Sequence, residues 1–445
     1  MISQRPHRSL LLVSMALLVF ASSPARADAL SLDQAVALAL KHNSALHQAR
    51  AQVDAAEASR KKVRGGYGPS LSAGANLQIW DSEHSISIAP DAPPPFNEPF
   101  VAREQITGQI NLTLTQPITP LYQVHKGQKL AAMGRDAAKL GWRRAQQSIA
   151  GEAKKAYLNV LRARAGQAIA KSAVEQVTAG VEKARAFERA GLIGKNDLLK
   201  AEVALAQAEE GKIKAEAGVA LAQSALAAVL GLSPDKRFTL TEKPGVPAAY
   251  GRSLSDCVKQ AQQNRAELQI AQAQARIARG QGAIEKWNYV PQLVALAQYQ
   301  HTIGGGDFQP ANAFFVGGAL NWKLFEWGKT HYSVKAAEHK TKAAEYALPL
   351  LRARIHLEVK KAYLDLQVAQ KTMAVAKRSI EQAREGYRIE QVRFSKQAAT
   401  ATDLLDAQLA LTRSELSFTN SLYGWHIARA ALDQAMGASV KGASR

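Results

Sequence analysis

The sequence predicts a mainly α-helical chain made of two tandem repeats, each interrupted by a pair of β-strands of membrane-spanning length. Three observations carry this. EAKKAYL at 152–158 returns as EVKKAYL at 358–364, and the same offset of 206 carries Asp197 onto Asp403 and Gly231 onto Gly437; self-similarity at a fixed offset marks a duplicated structural unit. A second offset, 222, carries Ser31 onto Ser253, Leu46 onto Leu268, and Tyr67 and Pro69 onto Tyr289 and Pro291. Gly and Pro are sparse over long runs, Ala is abundant and aromatics are only 6%, which suits long, closely packed helices better than a thick globular core.

Residues 1–27 read as a secretory signal: Arg5 and Arg8 precede an apolar run at 10–20 and a small-residue cleavage site, Ala25-Arg26-Ala27. The run is too short for a membrane helix, which needs about 20 residues. The mature chain is expected to begin at Asp28. Cys257 is the only cysteine, so nothing suggests a lipid anchor at the cut or an intrachain disulfide. Repeat one spans 28–231, a linker follows at 232–252, repeat two spans 253–437, and a short tail ends the chain at 438–445.

Residues 31–64 carry a helical pattern, with Ser31 as N-cap and Asp33 in the first turn. Gly65, Gly66, Gly68 and Pro69 end it, and the period changes to two. Leu71, Ala73, Ala75, Leu77 and Ile79 alternate with Ser70, Ser72, Gly74, Asn76 and Gln78; Ile106, Ile110, Leu112 and Leu114 alternate with Thr107, Gln109, Asn111, Thr113 and Thr115. Strands at 70–80 and 106–115 match the roughly 9–11 residues of a tilted membrane strand. The proline-rich stretch between them, 81–103, is a loop. From 122 the helical pattern runs to about 189, breaks at 190–194 and resumes at 196–231. Repeat two follows the same plan: helix at 253–286, strands at 292–300 and 314–322, and helices at 329–394 and 402–436, with Pro349 expected to kink the long one. In each repeat the two shorter helices together match the long one, so they are expected to stack end to end beside it. Leu404, Leu411, Phe418 and Trp425 follow a coiled-coil spacing of seven.

Four strands with an apolar face cannot close a barrel, since the smallest outer-membrane barrels have eight. An open edge in lipid leaves unpaired backbone groups, so membrane strands of this number require oligomerisation. Physics sets at least two copies. A secreted periplasmic coiled-coil scaffold or adaptor with soluble hairpins is the alternative reading. The formal charge is +20, or +17 without the signal, but the basic residues are scattered along helices, and export argues against nucleic acid. No dinucleotide fingerprint, P-loop, nucleophile–base pairing or metal-ligand spacing is present, so no enzyme activity, cofactor or metal is expected.

The export signal, the ordered duplicate, LFEWGK at 324–329 and DLLD at 403–406 together resemble the TolC family of outer membrane efflux proteins. The resemblance covers nearly the whole mature chain. It implies a homotrimer in which a long α-helical barrel is continuous with a 12-stranded β-barrel, four strands per chain, set in outer membrane lipid and extending into the periplasm of a Gram-negative bacterium. A periplasmic membrane-fusion adaptor and an inner-membrane pump are the implied partners, with passive conduction of efflux or type I secretion cargo. Asp403 and Asp406 match the family's aperture carboxylates, and Asp197 is their first-repeat counterpart. The tips that close the tunnel and meet the adaptor include Gly191, Leu192, Gly194 and Lys195 in one turn and Lys396, Gln397, Ala399 and Thr400 in the other. Two departures stand out: Lys200 occupies the position equivalent to Asp406, and Ala399 sits where the family often has a basic partner. Acidic side chains in a first helical turn also stabilise the helix dipole without any gating role. Drug, heavy-metal and protein cargo all remain open.

Overall fold

The computed structural model describes residues 29–87, 91, 93–94 and 99–438; the expected signal and the last seven residues lie outside them. Strand β1 (Ala29–Leu30) leads into helices α1 (Leu32–His42) and α2 (Ser44–Gly65), then strands β2 (Ser70–Ile79), β3 (His84–Ile86), β4 (Phe100–Arg103) and β5 (Ile106–Pro117). Helices α3 (Leu121–Arg189) and α4 (Lys195–Val229) complete the first half. After β6 (Thr239–Leu240) come α5 (Leu254–Asn264), α6 (Ala266–Lys286), β7 (Gln292–Ile303), β8 (Asn312–Asn321), α7 (Lys329–Ser395) and α8 (Ala401–Ala435). The 69 residues of α3 rise roughly 100 Å. Helices of that length find no compact core and must be covered by neighbouring rods.

Each long helix is flanked by shorter ones: α3 packs along α1, α2 and α4, and α7 along α5, α6 and α8. The two halves join where α3 meets α6 and α8. Ser31 caps α1 in a capping box with Gln34. The helix expected over 31–64 is broken at Asn43, and the one over 253–286 at Arg265. The breaks have one cause. Asn43 Nδ2 donates to the terminal Val229 carbonyl of α4 at 2.8 Å, and Arg265 Nη1 donates to the Ala435 carbonyl of α8 at 3.2 Å. Each break satisfies the exposed carbonyls of the helix stacked end-on against it, which would otherwise lack partners. Pro349 lies within α7, which continues through it as one helix.

The apolar core concentrates at these junctions. Tyr157, Leu226, Leu230 and Phe238 are buried together in the first half, and Ile355, Val359, Leu366 and Leu432 in the second. The linker crosses this level: β6 pairs in parallel with β1, and the Phe238 carbonyl accepts hydrogen bonds from Arg164 and Gln223 at 2.5 and 3.0 Å.

The main sheet is four-stranded and antiparallel in the order β2-β5-β7-β8. Register places Ala73, Leu112, Tyr299 and Phe314 in one row across it and Leu71, Leu114, Ala297 and Val316 in another, so this face is largely apolar, with His301 and Asn312 the polar members of the row that holds Ala75 and Ile110. Along β5, Ile106, Ile110, Leu112 and Leu114 are exposed, whereas Thr107, Gln109, Asn111, Thr113 and Thr115 are half-buried. On this inner strand the polar face is therefore the more crowded of the two. Both outer strands, β2 and β8, are paired on one side only. The stretch at 81–103, expected to be a loop, carries the short β3–β4 hairpin.

Candidate functional site

The far ends of the helical hairpins form the candidate site. Helix α3 ends in a Schellman motif: Gly191, at φ +71°, donates to the Glu188 carbonyl at 2.9 Å and Leu192 to the Phe187 carbonyl at 2.8 Å. Gly194 then caps α4, which begins at Lys195. The second tip repeats the geometry with a different residue. Lys396 caps α7, Gln397 takes the left-handed conformation at φ +59° and donates to the Phe394 carbonyl at 3.0 Å, and Ala398 donates to the Arg393 carbonyl at 2.8 Å. Gln397 is therefore strained where its repeat partner Gly191 is not.

Thr400 caps α8 in a capping box with Asp403. Asp403 Oδ2 accepts from the Thr400 backbone N–H at 2.8 Å and from its hydroxyl at 2.7 Å, while that hydroxyl accepts from the Asp403 N–H at 3.1 Å. The Thr400 hydroxyl and then its N–H hold the Asp403 carboxyl below the usual range. Asp197 lies in the first turn of α4, 3.7 Å from Lys200 Nζ. Lys200 and Asp406 line the same groove between α3, α4 and α8, about 590 Å³ in volume and otherwise walled largely by small residues such as Ala204, Ala208 and Gly211. The three carboxylates thus occupy different settings: Asp403 in its cap, Asp197 beside a lysine, Asp406 in the groove.

Leu192 is 51% exposed at the first tip, and Ala399 packs against the buried cluster of Phe394, Ala401 and Leu404. Phe187 and Phe394 face each other with centroids 5.4 Å apart and tie the two tips together. They sit one residue out of repeat register, so the duplication does not flag them. Arg393 is a further tip residue outside the sequence expectation: it pairs with Glu390 at 2.7 Å and donates to the Ala398 carbonyl at 3.2 Å. It is one ordinary arginine among many in the sequence, and only the fold of the turn singles it out.

At the opposite end, the segment between β8 and α7 presents Trp322, Leu324, Phe325 and Trp327 to the surroundings, Trp327 at 89% exposure. Aromatic side chains of this kind mark a membrane–water boundary. No described helix is long and apolar enough to cross a membrane; the sheet supplies the spanning surface. An edge-open sheet with one largely apolar face, an aromatic boundary and rods roughly 100 Å long define an outer membrane channel subunit.

The chain belongs to the outer membrane efflux protein family, whose profile matches residues 35–232 and 257–438, one stretch in each repeat. It is similar to Protein CyaE of Bordetella pertussis, 26% identical over 353 residues, covering 78% of this chain and 71% of that protein. Its fold matches the outer membrane protein VceC from Vibrio cholerae, with a TM-score of 0.74 at 20% identity, covering 91% of this chain and 96% of that one. It also matches the Campylobacter jejuni CmeC outer membrane channel, with a TM-score of 0.75 at 16% identity over 93% and 87% of the two chains. The protein is an outer membrane channel of the efflux and secretion type, reaching into the periplasm. The family and fold are those of channels rather than enzymes.

Proposed function

We propose that three copies close a 12-stranded barrel in outer membrane lipid and continue it as a helical tunnel, which passively conducts cargo delivered by an inner-membrane pump through a periplasmic adaptor. The observation that carries this is the sheet itself: β2 and β8 each keep an unpaired edge beside an exposed apolar face. In lipid each unpaired backbone group costs several kcal/mol, and pairing with a neighbouring copy removes that cost. Helix α7 supports the same association. It exposes Tyr346, Leu350, Leu357, Leu364, Val368 and Val375 at spacings of four and seven, the pattern of a helix awaiting a neighbouring rod.

In this reading the halves at 28–231 and 253–437 are two pseudo-equivalent wall segments, and the segment at 1–27 directs export. The tips converge at the periplasmic end, where Asp197, Asp403 and Asp406 form the aperture, and where Gly191, Leu192, Gly194, Lys195, Lys396, Gln397, Ala399 and Thr400 meet the adaptor. Threefold repetition turns each carboxylate into a ring that attracts cations. Single-channel conductance in planar bilayers tests this, comparing wild type with Asp403→Ala plus Asp406→Ala. A pore whose cation selectivity falls in the double variant supports the aperture. An unchanged pore returns Asp403 to helix capping and leaves Asp406 as a groove-lining side chain, and no pore at all refutes the channel.

A further inference from the structure

The opposite mouth of the sheet carries a charge that the helical tips do not explain. On the concave face the rows are built from Ser, Asn, Gln and Thr, joined by Val294, Leu296 and Phe315 from β7 and β8, and the strand residues there carry no ionisable side chain. Above them the chain turns inward. Trp80 continues the inward phase of β2 and donates through Nε1 to Thr107 Oγ1 at 2.9 Å. The Arg103 guanidinium lies 3.9 Å over the Trp80 ring, with Nη2 donating to the Ser82 carbonyl at 3.3 Å. A cavity of about 470 Å³ opens between Arg103 and the amide and hydroxyl groups of Asn76, Gln78, Gln109, Thr302 and Gln309.

Arg103 Nε is buried there without a hydrogen-bond partner, and among the described residues no carboxylate forms an ion pair with its guanidinium. A buried charged donor left unpaired is costly and implies a missing acceptor. The loop that holds it is itself fixed. Val101 N–H donates to Asp307 Oδ2 at 2.8 Å, the Asp307 N–H donates back to the Val101 carbonyl at 2.7 Å, and the Phe100 and Phe308 rings meet at 5.5 Å. Gly306, at φ +71°, brings its backbone against Val101 and Ala102 where a Cβ would overlap them. The loop after β7 thus clamps the strand that presents Arg103.

We infer that Arg103, stacked on Trp80 and backed by the amide-lined cavity, is an anion-binding site on the lumen side of the extracellular mouth, selecting cargo that carries carboxylate, sulfonate or phosphate groups. This rests on the channel reading, in which each copy contributes one Arg103 to the mouth. Rings of arginine favour anions in pores, and a guanidinium over an aromatic face keeps its planar donors free for a bidentate acceptor.

Sided block by inositol hexakisphosphate in planar bilayers tests the site. The helical body cannot cross the bilayer, so the strand loops face the chamber opposite to that of insertion. Block from the loop side is expected to be at least tenfold stronger than from the insertion side, and to weaken at least tenfold in Arg103→Gln while Arg103→Lys retains part of it. Equal block from both sides, or block unchanged in Arg103→Gln, overturns the proposal. If Arg103→Gln fails to assemble, the sidedness in wild type decides. Absence of any conductance refutes the channel reading instead, and is distinguishable from a pore that conducts but is not blocked.

Discussion

Replacing Gly231 by alanine tests the junction that organises each half of the chain. Gly231 sits at φ +72°, and a Cβ there would lie 2.4 Å from the His42 carbonyl oxygen and 2.6 Å from its carbon. His42 cannot retreat freely, because the next residue, Asn43, is anchored to the Val229 carbonyl at 2.8 Å. The left-handed conformation costs a non-glycine residue about 1–2 kcal/mol, and overpacking against fixed backbone adds about 1–3 kcal/mol. Gly191 is the internal control. It has nearly the same φ, +71°, but open space where a Cβ would go, so Gly191→Ala incurs the conformational term alone. Hydrogen exchange read by mass spectrometry on detergent-purified protein reports each site locally. With about 1.4 kcal/mol per tenfold, Gly231→Ala is expected to speed exchange over residues 36–46 and 223–232 by about a hundredfold. Gly191→Ala is expected to speed exchange around the first tip by about tenfold. Equal effects at the two sites, or a larger one at Gly191, would refute the stacked-junction reasoning.

Gln397→Gly is expected to slow exchange at the second tip, by up to about 1 kcal/mol, because it removes the strain that Gly191 avoids; faster exchange would contradict it. Tyr157→Phe, which removes a fully buried hydroxyl donating to the Leu30 carbonyl at 2.9 Å, should destabilise the first half by about 1–1.5 kcal/mol, read as a lower thermal midpoint at fixed scan rate. The Asp403 carboxyl has a depressed pKa in the folded tip, so its contribution is present above the unfolded value of about 3.9 and is lost as pH falls through the folded value. Tip exchange, corrected for intrinsic rates, should therefore rise on acidification below about pH 4 in wild type, and Asp403→Asn should lack that step; a step of equal size in the variant would show that another group causes it.

Much of this fold is written in short-range pattern. The period-two alternation of Leu71 to Ile79 and Ile106 to Leu114 reports directly on a sheet with two unlike faces, and the break at 190–194, carried forward by the offset of 206, locates both tips along the chain. The breaks at Asn43 and Arg265 are less legible because their cause is tertiary. Asn43 is a good N-cap and accepts from the Ala45 N–H at 2.9 Å, yet it lies in an unbroken run of helix-forming residues. Arg265 has no capping side chain of its own and is explained only by the Ala435 carbonyl it meets. The tip carboxylates can be named from DLLD, but the capping box that engages Asp403 and the groove shared by Lys200 and Asp406 depend on how the hairpins lie together. Arg103 is the least visible. It sits at the end of a proline-rich stretch, 23 positions from the Trp80 ring on which it stacks.

The central claim is that the open edges of the sheet are completed by neighbouring copies of the same chain. Cysteines placed in pairs on those edges, at Ala73 or Ala75 of β2 with Val316 or Gly318 of β8, test it most directly in a background where the buried native Cys257 is replaced by serine. Oxidation of membranes should give a covalent ladder that ends at three copies for the pairs in register. Monomer alone under oxidising conditions, or a ladder extending beyond three copies, would contradict the closed three-chain barrel.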